Sequence, residues 1–417
     1  MSFVNRRNPN ADQYFPHQEP SIGAAFPASI FPQNEKLPKL FQPITIRGLT
    51  FKNRAFVSPM CQYSADNGHA TDWHLVHIGG FVTRGAGAVM MEATAVVPEG
   101  RISPEDLGIW GDSHIAPLKR IVNFAHGHDT LIGIQLGHGG RKASTLSPWV
   151  HGNVTGTVKA PRNVALEDEN GWPDNVYGPT DIPFAEDYPK PIPMTGEEIR
   201  RVEDAYLAAV ERCKQAGFDF IEVHAAHGYL LSSFLSPITN TRTDEFGGQN
   251  LENRMRWPLR LIKRIREAWS DKPLFVRISG TEYAGDEQDG DGKWLSWGLE
   301  QSKIFSTELQ KIGVDLVDVS SGGNYSKQKI SAFPGYQVHL ADGIRKAVPE
   351  IKVAAVGLIF DGKQANDYLE EGKADVLFLG REFVRDPHFV LRTALELGTP
   401  VNSAAQYQRA WTRLWKL

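Results

Sequence analysis

The amino-acid sequence predicts a single (β/α)8 TIM barrel, and three observations carry that prediction. Short apolar runs rich in β-branched residues alternate with longer segments of helical periodicity, the pattern of a parallel α/β fold. The rhythm repeats eight times without a break that would separate two domains. Polar side chains and glycines collect where the apolar runs end, which is where barrels carry their chemistry.

In chain order, residues 1–38 are rich in Pro, Asn, Gln and Phe without periodicity and read as a poorly ordered N-terminal arm, with Phe15, Phe26 and Phe31 available to dock on the body or on a partner. Residues 39–417 are then the barrel and its C-terminal tail. From Leu40 to Asn53, apolar and polar residues alternate around Arg47-Gly48-Leu49, which predicts a hairpin capping the bottom of the barrel. The strand runs are Ala55 to Val57, Ala88 to Glu92, Leu131 to Leu136, Phe218 to Val223, Leu274 to Ile278, Leu316 to Val319, Val353 to Val356 and Val376 to Leu379. Helical periodicity covers Ile115 to His126, Glu197 to Ala216, Leu251 to Trp269, Leu299 to Ile312, Gln337 to Val348, Gly362 to Glu371 and Pro387 to Leu397. One connection, Lys142 to Met194 after the third strand, is far longer than a simple β/α unit needs; because it leaves a strand's C-terminal end, it is expected to lie over the catalytic face.

Composition narrows the function. A net charge of -4 with no block of like charge gives no footprint for nucleic acid or an anionic membrane, which favours small-molecule chemistry. Cys61 and Cys213 are the only cysteines, neither a disulfide framework nor a zinc or iron–sulfur set, so a reducing compartment is expected. The start lacks the apolar core of a signal peptide and no stretch is long enough to span a bilayer, so the chain reads as soluble and cytoplasmic. The sequons at Asn153 and Asn324 are discounted on the same grounds.

The strand ends hold Ser58-Pro59-Met60-Cys61-Gln62-Tyr63, then Glu92-Ala93-Thr94, Gln135 with His138 and Arg141, His224, His227 and Tyr229, Arg277-Ile278-Ser279, Ser320 to Gly323, Gly357, and Gly380-Arg381. Glycines after the seventh and eighth strands suit close approach of an anion, with Arg381 supplying charge. No Walker A loop is present and no strand is followed by Gly-x-Gly-x-x-Gly, so a dinucleotide-binding domain is not expected. His224 and His227 lack the glutamate of a His-Glu-x-x-His helix and a third ligand nearby, which argues against a metal. Capped core histidines and catalytic groups both remain open for this run.

Ser58-Pro59-Met60-Cys61, Gln135-Leu136-Gly137-His138, His224-Ala225-Ala226-His227-Gly228-Tyr229, Arg242 to Gly248, Asn253-Arg254 and Gly380-Arg381 resemble, in identity and order, the old yellow enzyme family, from about residue 38 onward. Cys61 and the tail Gln406 to Trp411 look most like its thermophilic-like, class III branch of ene-reductases. The resemblance implies a non-covalent FMN reduced by NADPH or NADH, which passes hydride to an activated alkene. By position, Ser58 would contact the cofactor, Pro59, Met60, Cys61, Ala93, Gln135 and Arg277 would surround the isoalloxazine, and Gly357, Gly380 and Arg381 would hold the phosphate. His224 and His227 would bind the substrate oxygen, Tyr229 would protonate carbon and Tyr63 would contact substrate. Arg409 would reach the neighbouring active site of a homodimer. Two other readings compete: a non-redox barrel using the phosphate site for its substrate, for which no Schiff-base lysine stands at a strand end, and a flavin-binding sensor with little turnover.

Overall fold

In a computed structural model, residues 17–151 and 162–416 are described. A hairpin of β1 (Ile44–Ile46) and β2 (Leu49–Phe51) precedes the first barrel strand. Arg47 and Gly48 both take positive φ, 41° and 78°, the backbone a two-residue type I′ hairpin turn requires. The barrel strands are β3 (Ala55–Val57), β4 (Ala88–Ala95) and β5 (Leu131–Gly137), and then, after a two-stranded pair of β6 (Tyr177–Gly178) and β7 (Ile192–Pro193), β8 (Phe220–Ala225), β9 (Leu274–Ser279), β10 (Leu316–Ser320), β11 (Lys352–Ala355) and β12 (Val376–Leu379). These eight strands close into a parallel barrel in chain order, β12 pairing with β3, as the sequence predicts.

Alternation along the strands sorts the barrel interior into layers. On β8 the inward residues run Phe220, Glu222, His224; on β9 Phe275, Arg277, Ser279; on β10 Leu316, Asp318, Ser320. The lowest layer is apolar: Phe56, Phe220, Phe275, Leu316 and Phe378 cluster with Ile44, Ile46 and Phe51 of the hairpin, which therefore plugs the bottom. The Phe220 and Phe275 rings lie 4.9 Å apart between centroids. Gly133 makes room for them, since a Cβ there would stand 2.2 Å from the Phe220 ring. Above this floor the interior turns polar.

The predicted helices form with small end shifts, for example Gly196–Ala216 and Val338–Ala347. Sequence reading misses the helix Asp72–Val82, whose Gly79-Gly80 pair and weak apolar stripe hide it. Gly79 is where it packs on the Phe124 ring of the next helix, which a Cβ would approach to 3.0 Å. It also misses the short helices Leu230–Leu235 and Arg381–Arg385, each right after a strand end.

The expectation of a poorly ordered arm over residues 1–38 is corrected for residues 17–38; Phe15 lies outside the described residues. Gly23 N donates to Asn402 O at 2.8 Å, Phe26 N to Pro400 O at 3.0 Å, and Asn34 Nδ2 to Pro400 O at 2.8 Å. Ile22 and Phe31 are buried. This segment is anchored by single backbone and side-chain bonds to residues 400–403 rather than by an apolar stripe, so it carries no periodicity to read.

The motif around Arg242 to Arg254 is structural. Buried Arg254 donates to the carbonyls of Leu235 (2.7 Å), Gly248 (2.8 Å) and Gln249 (3.1 Å) and to Gln301 Oε1 (2.6 Å), tying the helix that follows the β8 loop to its neighbours. Arg254→Met leaves the Leu235 carbonyl and Gln301 Oε1 buried and unpaired and is expected to destabilise the fold by about 2–4 kcal/mol, read from denaturant midpoints; an unchanged midpoint contradicts this role.

Candidate active site

The C-terminal ends of the strands open into a cavity of about 320 Å³ lined by Ser58, Pro59, Met60, His227, Arg277, Gly357, Gly380 and Arg381 among others. Eight of the expected residues thus share one wall system, contributed by five strands and the loops after them. Ala93, His224 and Tyr229 border a small adjoining cavity beside Ile102 and His138. Tyr63 and Tyr229 line a third, of about 220 Å³, with Lys142, Leu146, His151 and Tyr188. The described part of the long loop after β5 therefore lies on the catalytic face, and its Trp149 meets Tyr63 edge-on at 5.5 Å between centroids.

Register explains the grouping. A bulge in β4 between Met91 and Ala93 brings Ala93 opposite Gln135, and Gln135 in turn pairs in regular register with Glu222 of β8. Arg277 pairs in register with His224 on one side and Asp318 on the other. Cys61 is half-buried close to the Ala93 backbone; burial, then Asp106 and Glu92, raise its pKa well above the ordinary thiol value, so it stays protonated at neutral pH.

After β8 the chain turns sharply, with His227 at φ 61° and Gly228 at φ 71°. A non-glycine residue there carries strain, and it is held by three bonds. His227 N donates to Ser279 Oγ at 2.9 Å, Lys142 Nζ donates to the His227 carbonyl at 2.9 Å, and His227 Nε2 lies 2.7 Å from Ser320 Oγ. The Ala226 N–H donates to His224 Nδ1 at 3.3 Å, which leaves the ring proton of a neutral His224 on Nε2 as a free donor. Burial, then Arg277, holds both imidazoles well below their ordinary pKa, so they are neutral donors. The His224 ring stands 5.2 Å from that of His227 and 5.0 Å from that of Tyr229. Burial raises the Tyr229 phenol well above its usual pKa.

Sequence reasoning missed Lys142, which is half-buried, brought down to about 7 by desolvation and then by Arg141, and placed 4.9 Å over the Tyr229 ring. It missed Tyr336 and Gln337, which line the main cavity from the loop after β10. A lysine within an otherwise Gly- and Ser-rich strand exit was the available signal for the first; nothing marked the other two. Among the described residues no group of three or more His, Cys, Asp or Glu is arranged to hold a metal ion. Both cysteines are free thiols. Asn324 is buried, leaving its sequon no room for a glycan, and Asn153 lies outside the described residues. No described helix is long and apolar enough to cross a membrane. Arg409 sits on an exposed turn and lines none of these three cavities.

The cavity suits a flavin nucleotide. Ser58 Oγ is buried without a hydrogen-bond partner among the described residues, Arg277 closes the inner end and Arg381 stands at the rim. Gly357 takes φ 127°, and a Cβ there would meet Gln337 Nε2 at 2.7 Å, so backbone alone can form that wall.

Residues 39–399 match the model of the NADH:flavin oxidoreductase / NADH oxidase family. An NADH:flavin oxidoreductase of Gibberella zeae is 47% identical over 402 residues, covering 95% of this chain and 93% of the relative. NADPH dehydrogenases of Geobacillus thermodenitrificans and Bacillus subtilis are 41% and 39% identical, each over 89% of this chain, covering 98% and 99% of their own length. Morphinone reductase shares the fold at TM-score 0.66 and 24% identity, over 88% of this chain and 91% of its own. A non-redox barrel is thereby set aside. The chain belongs to the NADH:flavin oxidoreductase family, the old yellow enzymes, and is an FMN-dependent flavin oxidoreductase driven by NAD(P)H.

Proposed function

We propose that this enzyme is an ene-reductase of the class III branch, acting in the cytoplasm on α,β-unsaturated carbonyl or nitro compounds. The observation that carries this reading is the grouping of two neutral imidazoles and a protonated phenol at the end of β8 and on the turn after it, bordering the main cavity and the small one beside it. Ser58, Pro59, Met60, Cys61, Ala93, Gln135 and Arg277 would border the isoalloxazine ring, and Gly357, Gly380 and Arg381 the phosphate. FMN held there would supply the hydride chemistry, accepting hydride from NAD(P)H and donating it to the β-carbon of the alkene.

The chain's own part is positioning and charge control. His224 donates from Nε2 to the substrate oxygen, where negative charge grows as the β-carbon is reduced. If the Ser320 hydroxyl donates to His227 Nε2, the His227 proton sits on Nδ1 and supplies the second donor. Tyr229 gives its phenolic proton to the α-carbon and regains one from solvent; a phenol is acid enough because the recipient carbanion is far more basic. Arg277, which lines the cavity, would offset the negative charge that a bound flavin carries once reduced. Tyr63 and the loop residues around it exclude water from the substrate side.

Arg409, exposed on its own subunit, would complete the neighbouring site in a homodimer. Purified enzyme is expected to be yellow, to bleach anaerobically with NADPH, and to regain its colour with cyclohexenone, a nitroalkene or a maleimide. Bleaching without reoxidation by any alkene overturns the ene-reductase reading and favours a flavin sensor.

A further inference from the structure

Between the apolar floor of the barrel and the cavity lies a charged layer for which the proposed reaction has no use. Glu222 and Asp318 are wholly buried, on strands flanking Arg277. Gln135 Nε2 donates to Glu222 Oε1 at 2.7 Å. Arg277 Nε lies 3.1 Å from Asp318 Oδ2, near enough to pair but poorly aligned as a hydrogen bond. Glu222 Oε2 and both Asp318 carboxylate oxygens have no hydrogen-bond partner among the described residues. Apolar residues of similar volume would serve packing at no such desolvation cost.

We propose that Glu222 and Asp318 form a proton-holding counter-charge that sets the reduction potential of the flavin through Gln135 and Arg277. This rests on the reading that Gln135 and Arg277 border the isoalloxazine ring. Two carboxyls beside one guanidinium leave the layer negative if both ionise, so one of them retains a proton. Glu222 is that one: Asp318 lies 3.1 Å from the Arg277 guanidinium, which favours its ionised form against burial, whereas burial and then Asp318 push Glu222 up. The other elements bring little charge to the pair. His224 above is neutral, Glu92 of β4 turns to His74 at 3.6 Å, and Phe56, Ala354, Val376 and Phe378 of β3, β11 and β12 are apolar.

Reduction places two electrons on the cofactor, carried by hydride from NAD(P)H. The added negative charge favours the neutral Glu222 carboxyl, so above pH 8 Glu222 takes one proton from solvent on reduction and returns it on reoxidation. The potential therefore falls more steeply with pH above about 8 than the flavin alone requires.

The test is the midpoint potential of the FMN-loaded enzyme from pH 6 to 9 in Glu222→Gln, Asp318→Asn and Arg277→Lys. Glu222→Gln is expected to match the parent at pH 6 and to exceed it at pH 9 by about tenfold in the reduced-to-oxidised ratio, or about 30 mV for a two-electron couple. Asp318→Asn, which removes the charge that helps hold the proton on Glu222 and lets Glu222 ionise opposite Arg277, is expected to move the steep part of the pH dependence to lower pH. Both are isosteric, and either alone decides the matter should the other not retain flavin. Parent-like potentials in Glu222→Gln and Asp318→Asn, with a shifted potential in Arg277→Lys, overturn the proposal while the flavin placement stands. A potential unmoved in all three overturns both.

Discussion

Tyr229→Phe is expected to slow alkene reduction by roughly 10²–10⁴-fold, the usual worth of a positioned general acid, while leaving flavin reduction by NADPH at its parental rate. The side chain is half-buried, keeps its ring beside His224 and loses only the hydroxyl, so binding and fold have no reason to change. Its raised pKa gives the prediction a pH signature: the phenol stays protonated across the neutral and mildly basic range, so it imposes no basic limb on the alkene half-reaction there. Stopped-flow measurement of the two half-reactions separates the cases. Equal slowing of both means that Tyr229 does not deliver the proton.

His224→Ala is expected to cost about 10²–10³-fold in alkene reduction, the effect of removing one donor aimed at a developing oxyanion. The loss should fall on kcat and kcat/KM together, because the bond strengthens as charge accumulates. In the parent both imidazoles titrate well below the ordinary histidine value, so folded-state protonation is disfavoured and the neutral donors persist as pH drops through 6.5. The alkene half-reaction should show no loss in that range attributable to these histidines. An acidic limb near 6.5 that vanishes in His224→Ala would show that His224 titrates normally and is not buried beside Arg277 as described.

Much of the fold was legible because it rests on local signals. Apolar runs at Leu131–Gly137 and Leu274–Ser279 are strands by composition, and long amphipathic helices such as Leu299–Ile312 declare themselves by period. The helix Asp72–Val82 and residues 17–38 were not legible, since each is stabilised by contacts with distant segments rather than by its own pattern. At the site, His224, His227 and Tyr229 were found from one short run and a family resemblance. Lys142 was not, because its role comes from carbonyls supplied by residues 227 and 323.

By itself the sequence determined the eight-unit barrel, the hairpin plug and the set of polar strand ends, since strand period and apolar content act over a few residues. Only the tertiary structure decided how those ends meet: the bulge in β4, the register of Gln135 with Glu222 and of Arg277 with Asp318, and the left-handed turn at His227. The physical reason is that pKa, tautomer and donor direction depend on burial and on neighbours brought together by closure of the barrel. Glu222 reads in sequence as one charge in an apolar strand; enclosed beside Gln135, Arg277 and Asp318, it becomes a carboxyl whose pKa is raised by burial and then by Asp318.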